Sequence, residues 1–294
     1  MRYHLVHSTD YQYASSVQTA RHLLHLIPRT CSWQQVEHQR LLIDPLPTFQ
    51  EAGFDVFGNH LTRIELVLAH QHLHVSSDVV LRVEARPWQG VVTSETWDSV
   101  RESLRYQAKP VSSEFNEAQR MQFESPGVRV KRELEDYARS SFLPGRALFE
   151  ATSDLMRRIF TEFRYDPGAT EVGTSVLEVL EKKHGVCQDF AHLMIACLRS
   201  LGLAARYVSG YLLTHPPAGQ PRMQGADASH AWVAVFFPSM GWIEFDPTNN
   251  CLSDERHLVL GWGRDFGDVS PIRGLIQGGG DHTLKVGVTV TPLE

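Results

Sequence analysis

Residues 174–202 read TSVLEVLEKKHGVCQDFAHLMIACLRSLG, and the elements formed here and immediately downstream decide the fold. Apolar residues recur at three- and four-residue spacing up to Gly185 and again from Cys187 to Gly202. The pattern predicts two consecutive helices, each closed by a glycine. Three short runs rich in β-branched and aromatic residues come next, ARYVSGYLL (205–213), HAWVAVFF (230–237) and GWIEFDP (241–247). Such residues suit a pleated, half-buried surface. A last strand is expected in HTLKVGVTVTP (282–292). Helices followed by an antiparallel sheet make an α+β unit.

Upstream of this unit the periodicity is helical in ETWDSVRESLRYQ (95–107), VKRELEDYARSSF (130–142) and RALFEATSDLMRRIFTEF (146–163), where Leu155, Ile159 and Phe163 share a stripe. Further back, from about residue 2 to 86, it is that of strands. LRVEAR (81–86) alternates cleanly and FGNH (57–60) supplies a turn, so a small antiparallel β-sandwich is expected. The composition shifts at RPWQG (86–90). The division expected is a β-sandwich over 1–95, a linker or helical excursion over 96–130 and the α+β unit over 131–294.

The chain has 294 residues, 42% of them hydrophobic and 21% charged, enough for a sizeable core and unlike a disordered composition. Its net charge of −6 and lack of a basic run argue against nucleic acid as a partner. No apolar stretch approaches the roughly 18 residues of a membrane span, and the first residues do not read as a secretion signal. A cytoplasmic protein without a membrane partner is expected. Cys31, Cys187, Cys197 and Cys251 are scattered and free of CxxC spacing, which points to free thiols rather than a disulfide framework or a zinc site.

Three residues stand where their elements would sharpen their chemistry. Cys187 opens a helix, whose unpaired N–H groups and partial positive charge favour a thiolate. His230 begins a strand 43 residues later and is suited to proton transfer near neutral pH. Asp246 ends the next strand, just before Pro247. If PSMG (238–241) joins the two strands as a hairpin, Asp246 lies beside His230. Nucleophile, base and orienting carboxylate then form a Cys-His-Asp triad.

GVCQDFAHL, ASHAWVAVF and GWIEFDPTN, with ARYVSGY between the first two, resemble the three motif blocks of the transglutaminase-like superfamily. MRYHLVHSTDYQY (1–13) with ARHLLHLIPR (20–29) is similar to that family's N-terminal β-domain, and GWGRDFGDVSPIRG (261–274) to its C-terminal end. The resemblance implies a papain-like core behind a β-sandwich, with Cys187 as nucleophile, His230 as base and then acid, and Asp246 as orienter. It implies attack on a peptide or protein amide and a thioester acyl-enzyme, resolved by water or by an amine. Neither cofactor nor metal is called for. Tyr165 matches an aromatic position of the family and is a candidate oxyanion donor or cleft residue. Asp265 and Asp268 are candidates for binding a cationic or amine group.

Hydrolysis is the leading reading, amide transfer to a primary amine the second, and a non-catalytic binding or scaffold module the third. The oligomeric state is left open. The backbone N–H of Cys187 is the first candidate oxyanion donor, and Asp189 fits the first turn of its helix. His192 and Cys197 are expected to be structural, and Cys251 to lie near the cleft without acting there. His70, His72 and His74 are expected on one solvated strand face, QGGGDH (277–282) as a loop, and the long connection 214–229 as a candidate lid.

Overall fold

The computed structural model describes residues 1–90, 93–106, 111–168, 173–214 and 229–293. Strand alternation produces β1 (Arg2–Leu24), β2 (Gln34–Asp44), β3 (Phe49–Phe54), β4 (His60–Leu66) and β5 (His70–Val83). Every second side chain at the start of β1 (Tyr3, Leu5, His7, Thr9) turns inward. At 23 residues β1 far exceeds a strand of ~5–6, and its pairing shifts register between Gln12 and Val17. Its first half pairs with β5 and its second half with β4. The β3–β4 and β2–β5 halves close over Leu24, Ile43, Ile64, Leu73 and Val75. FGNH forms the expected turn, in which the Gly58 N–H donates to the Asp55 carbonyl.

The helical region contains α1 (Trp97–Ser103), α2 (Ser113–Arg120), α3 (Arg132–Arg139) and α4 (Leu148–Glu162). A short parallel pair, β6 (Arg164–Tyr165) and β7 (His184–Gly185), brackets α5 (Val176–Lys182) and leads into α6 (Cys187–Ser200). Helix α6 is buried without interruption from Asp189 to Arg199, and its polar members Asp189, His192 and Arg199 are each hydrogen-bonded. Around it pack α3, α4 and α5, and on one side the antiparallel sheet. That sheet runs β11 (Cys251–Leu252), β10 (Gly241–Asp246), β9 (Ser229–Phe237), β8 (Ala205–Leu212), β12 (His257–Gly263). The architecture is α+β, with helices on an antiparallel sheet behind an N-terminal β unit.

Two features bear on the division read in the sequence. Trp97, Val100, Leu104, Ala118 and Met121 are buried in the helix-sheet core, so among its described residues 96–130 takes the helical form of the two expected, and its helices pack into that core. After α7 (Phe266–Val269) the chain leaves the second unit. Both β13 (Ile272–Gly278) and β14 (His282–Leu293) pair antiparallel with β1, so the C-terminal strands complete the N-terminal sheet. Alternation shows that a strand exists but not which edge it joins. The two units are also joined by a shared apolar layer of Tyr3, Leu5, Leu81 and Val290 against Tyr211 and Leu258.

The glycines of 277–282 turn β13 into β14, as a loop is expected to. The candidate lid at 214–229 falls almost wholly on residues 215–228, outside the described residues. Among the described residues, no helix is long and apolar enough to cross a membrane.

Gly210 in β8 is fixed by close approach. A Cβ there would stand 2.1 Å from the Leu258 carbonyl oxygen and 2.5 Å from the Trp232 ring. Neither neighbour is a flexible chain end. Gly210→Ala is therefore expected to cost about 3 kcal/mol or more, read as a lowered midpoint in denaturant unfolding.

Candidate active site

Residues 184–187 carry the chain from β7 straight into α6, so the Cys187 side chain emerges at a helix start. Asp189 locks this entry: it is buried, and its Oδ2 accepts the Val186 N–H at 2.8 Å. Gly185 is required beside it, because a Cβ there would lie 2.7 Å from Asp189 Oδ2. Cys187 is half-buried and lines the same cleft as His230, near enough for a thiolate there to favour the charged His230 ring.

His230 and Asp246 meet across the β9–β10 hairpin. Phe245 pairs with Val233, which places Asp246 and His230 on a diagonal of the same strand pair. His230 Nε2 lies 2.7 Å from Asp246 Oδ2. With that nitrogen taken up by the carboxylate, Nδ1 is left for the thiol. Trp232 stacks on His230 at 5.9 Å and is held by its own indole N–H on the buried Glu244.

Asp246 is wholly buried and surrounded by donors. Oδ1 accepts the N–H groups of Thr248 and Asn249, and Oδ2 accepts the Asn249 side-chain amide at 2.6 Å. A further imidazole, His257, places Nε2 3.2 Å from Oδ2. Burial by itself raises the Asp246 carboxyl, but the bonds and positive charge of His230 and His257 outweigh it and hold the group well below the usual carboxylate range. Burial by itself lowers His230. The bonds and charges of Asp246 and Cys187 win, and lift it from 6.5 to about 9. Ring nitrogens and carboxylate oxygen of His230, Asp246 and His257 lie within 4.8 Å of one another. Both nitrogens approach a single oxygen at hydrogen-bond distance, which makes the cluster a hydrogen-bonded chain.

Over Cys187 and His230 opens a cleft of about 480 Å³. One wall is Tyr207, Ser209 and Phe266 from the helix-sheet unit. The opposite wall comes from the N-terminal sheet: His7, Thr9 and Tyr11 of β1 and Leu284 and Val286 of β14. His7 bonds Tyr211 at 2.8 Å, and burial lowers its pKa to about 4, so it faces the cleft as neutral imidazole. Leu284 and Val286 are each about half exposed and give this wall an apolar surface.

The remaining sequence candidates are placed elsewhere. Tyr165 is half exposed, edge-on to Phe190, and near enough to Cys187 for a thiolate there to raise its pKa after burial has done so. It is not among the residues lining the cleft. Asp265 is 2% exposed, accepts the N–H groups of Gly127 and Gly267 and caps α7. Asp268 forms a two-pronged pair with Arg264 at 2.9 Å. Both carboxylates thus have structural partners. His192 accepts the Phe266 N–H, and Cys197 is in the core. His70 is buried against the edge of Tyr13, while His72 and His74 remain accessible and pair with Asp44 and Asp10, so the expected solvated face is covered at His70.

His257 and Asn249 were not legible as site residues. His257 arrives because the chain crosses from β10, through β11 on one edge, to β12 on the other, passing the strand ends where Asp246 lies. The spacing Asp254-x-x-His257, an acid and a histidine ahead of an apolar run, is the local signal that could have found it.

A helix-borne thiol, a strand-borne imidazole and a buried carboxylate thus stand together on an α+β core. The family model of the transglutaminase-like superfamily matches residues 135–247, and that of the bacterial transglutaminase-like N-terminal region matches residues 3–82. An uncharacterized protein of Mycobacterium tuberculosis is 39% identical over 302 residues, covering all of this chain and 93% of that protein. The chain belongs to the transglutaminase-like superfamily. A protein-glutamine gamma-glutamyltransferase of Pseudomonas aeruginosa is 31% identical over 121 residues, 40% of this chain and 18% of that protein. A crystal structure of a candidate cysteine protease from Cytophaga hutchinsonii shares the fold. It has a TM-score of 0.78 at 18% identity and covers 100% of this chain and 91% of that one.

Proposed function

We propose that the protein is a thiol-dependent amide-bond hydrolase acting on peptides or proteins. The observation that carries this reading is the 2.7 Å contact of His230 with the buried Asp246 at a cleft that Cys187 also lines. The Cys187 thiolate attacks the carbonyl carbon, forming a C–S bond and an oxyanion. Backbone N–H groups at the start of α6, that of Cys187 first, supply its stabilisation. Collapse breaks the C–N bond, and the departing amine takes the proton held on His230. A thioester remains. Water then attacks it while His230 takes a proton, and the thiolate leaves. Asp246 keeps the imidazole oriented and stabilises its charged form throughout. A cytoplasmic location would keep Cys187 reduced.

Transfer of the acyl group to a primary amine is the second reading, favoured by the similarity to the Pseudomonas glutamyltransferase. Both readings share the acyl-enzyme. Incubating the protein with a casein-derived peptide mixture, with and without a dansylated primary amine, separates them. Cleaved or deamidated peptides without amine incorporation are expected, whereas dansyl-labelled peptides would move the assignment to transfer. Neither product, with Cys187 confirmed as a free thiol, would overturn both and favour a binding module.

The raised His230 predicts the alkaline side of the pH profile. The charged imidazole is needed to protonate the departing amine, so acylation is expected to fall about tenfold per pH unit above about pH 9. The same shift has a stability consequence. Because the folded value lies above 6.5, the stabilisation is complete below about pH 6.5 and is lost as pH rises through about 9. Stopped-flow acylation and thermal unfolding, both scanned from pH 6 to 10, check the two limbs.

A further inference from the structure

We infer that His257 is a positioning residue held as an imidazolium between two carboxylates, where it tempers the grip of Asp246 on the His230 proton. This extends the reading of Cys187, His230 and Asp246 as acyl-transfer machinery. The His257 ring is 1% exposed, with Nε2 3.2 Å from Asp246 Oδ2 and Nδ1 3.1 Å from Asp254 Oδ1. A ring with a carboxylate at each nitrogen is satisfied best with both nitrogens protonated. The Asp254 main-chain N also lies 3.1 Å from Nδ1 and would suit a neutral ring instead.

Charges from every packed element bear on the choice. Asp246 (β10), the Cys251 sulfur (β11) and Asp254, just beyond β11, favour the proton, and against burial they lift His257 to about 10. His230 (β9) stands 6.3 Å away between ring centres. Arg86 donates to the His257 carbonyl oxygen and is offset by Glu244, 3.9 Å away.

The consequence is functional. A buried aspartate with one cationic partner would hold that partner's proton tightly and leave it a poor acid for the departing amine. A second cation on the same oxygen spreads the carboxylate's charge over two rings. His230 then remains able to release its proton.

Ring-nitrogen NMR on the histidine-labelled chain tests this without a substrate. At pH 7.5, His257 is expected to show both nitrogens protonated. His257→Gln keeps a donor toward Asp246 but removes the positive charge, so the His230 midpoint is expected to rise by about one pH unit. With a cleavable peptide in hand, kcat falls several-fold while KM changes less than twofold. An unprotonated Nδ1 at pH 7.5, or an unmoved His230 midpoint, would overturn the inference. Should His257→Gln fail to fold, Asp254→Asn is expected to lower the His257 midpoint by a unit or more, and no change there would overturn it equally. Absence of peptide cleavage would strike the proposed hydrolase and leave the titration result standing.

Discussion

Cys187→Ala is expected to remove peptide hydrolysis by a factor of at least about 10³, while the unfolding midpoint stays within what about 0.5 kcal/mol would move. The size follows from the route. Without the sulfur no acyl-enzyme forms, and the cleft and oxyanion donors alone leave only residual catalysis. The small effect on stability follows from the position: Cys187 is half-buried at the first residue of α6, and alanine is the best helix former. Cys187→Ser is expected to be nearly as inactive, because a hydroxyl at this pH is a far weaker nucleophile than a thiolate. Peptide cleavage and urea unfolding, measured on one preparation, check both halves. Full activity in Cys187→Ala would remove the residue from the chemistry.

Asp246→Asn is the second large effect, and it differs in kind because it should disturb both turnover and the fold. Among the described residues, five groups give hydrogen bonds to the Asp246 carboxylate: the N–H groups of Thr248 and Asn249, the Asn249 amide, His230 and His257. An asparagine turns one acceptor into a donor, so at least one buried donor faces another. It also leaves two imidazoles without the charge that keeps them protonated. A loss of about 10³–10⁴ in kcat is expected, as when an orienting carboxylate is neutralised in other triads. Stability is expected to fall by about 3 kcal/mol, as for the breaking of a buried charge pair. The alkaline limb should also move downward from about pH 9 as His230 loses its counter-charge. A variant with normal turnover and an unshifted limb would show that Asp246 neither orients nor charges His230.

The site's two sequence-distant halves were legible for a local reason. The first helix ends at Lys182, with Lys183 rather than Gly185 in the left-handed cap position, but a new helix still opens at Cys187, and two strands joined by PSMG bring their far ends together, so Cys187, His230 and Asp246 could each be placed by counting. Contacts that cross between elements were not legible. His257 reaches Asp246 only because β12 pairs with β8 on the far edge of the sheet, and no spacing between residues 246 and 257 encodes that choice. The cleft wall from β14 was hidden likewise, since its alternation fits any sheet edge, whereas its pairing with β1 is a matter of tertiary packing. Asp265 and Asp268 are candidates from a motif alone. Their partners, the Gly127 N–H and Arg264, come from a loop distant in sequence and from a neighbouring turn.

The proposed chemistry requires Cys187 and His230 to act as a pair. Its most direct test is iodoacetamide labelling at pH 6.5, followed by peptide mass spectrometry, in the wild type and in His230→Ala. Cys187 is expected to label at least about tenfold faster than Cys31, Cys197 and Cys251, and to lose that advantage in the variant. Equal labelling of Cys187 and Cys251, or a Cys187 rate indifferent to His230, would contradict the pair and with it the proposed acyl transfer.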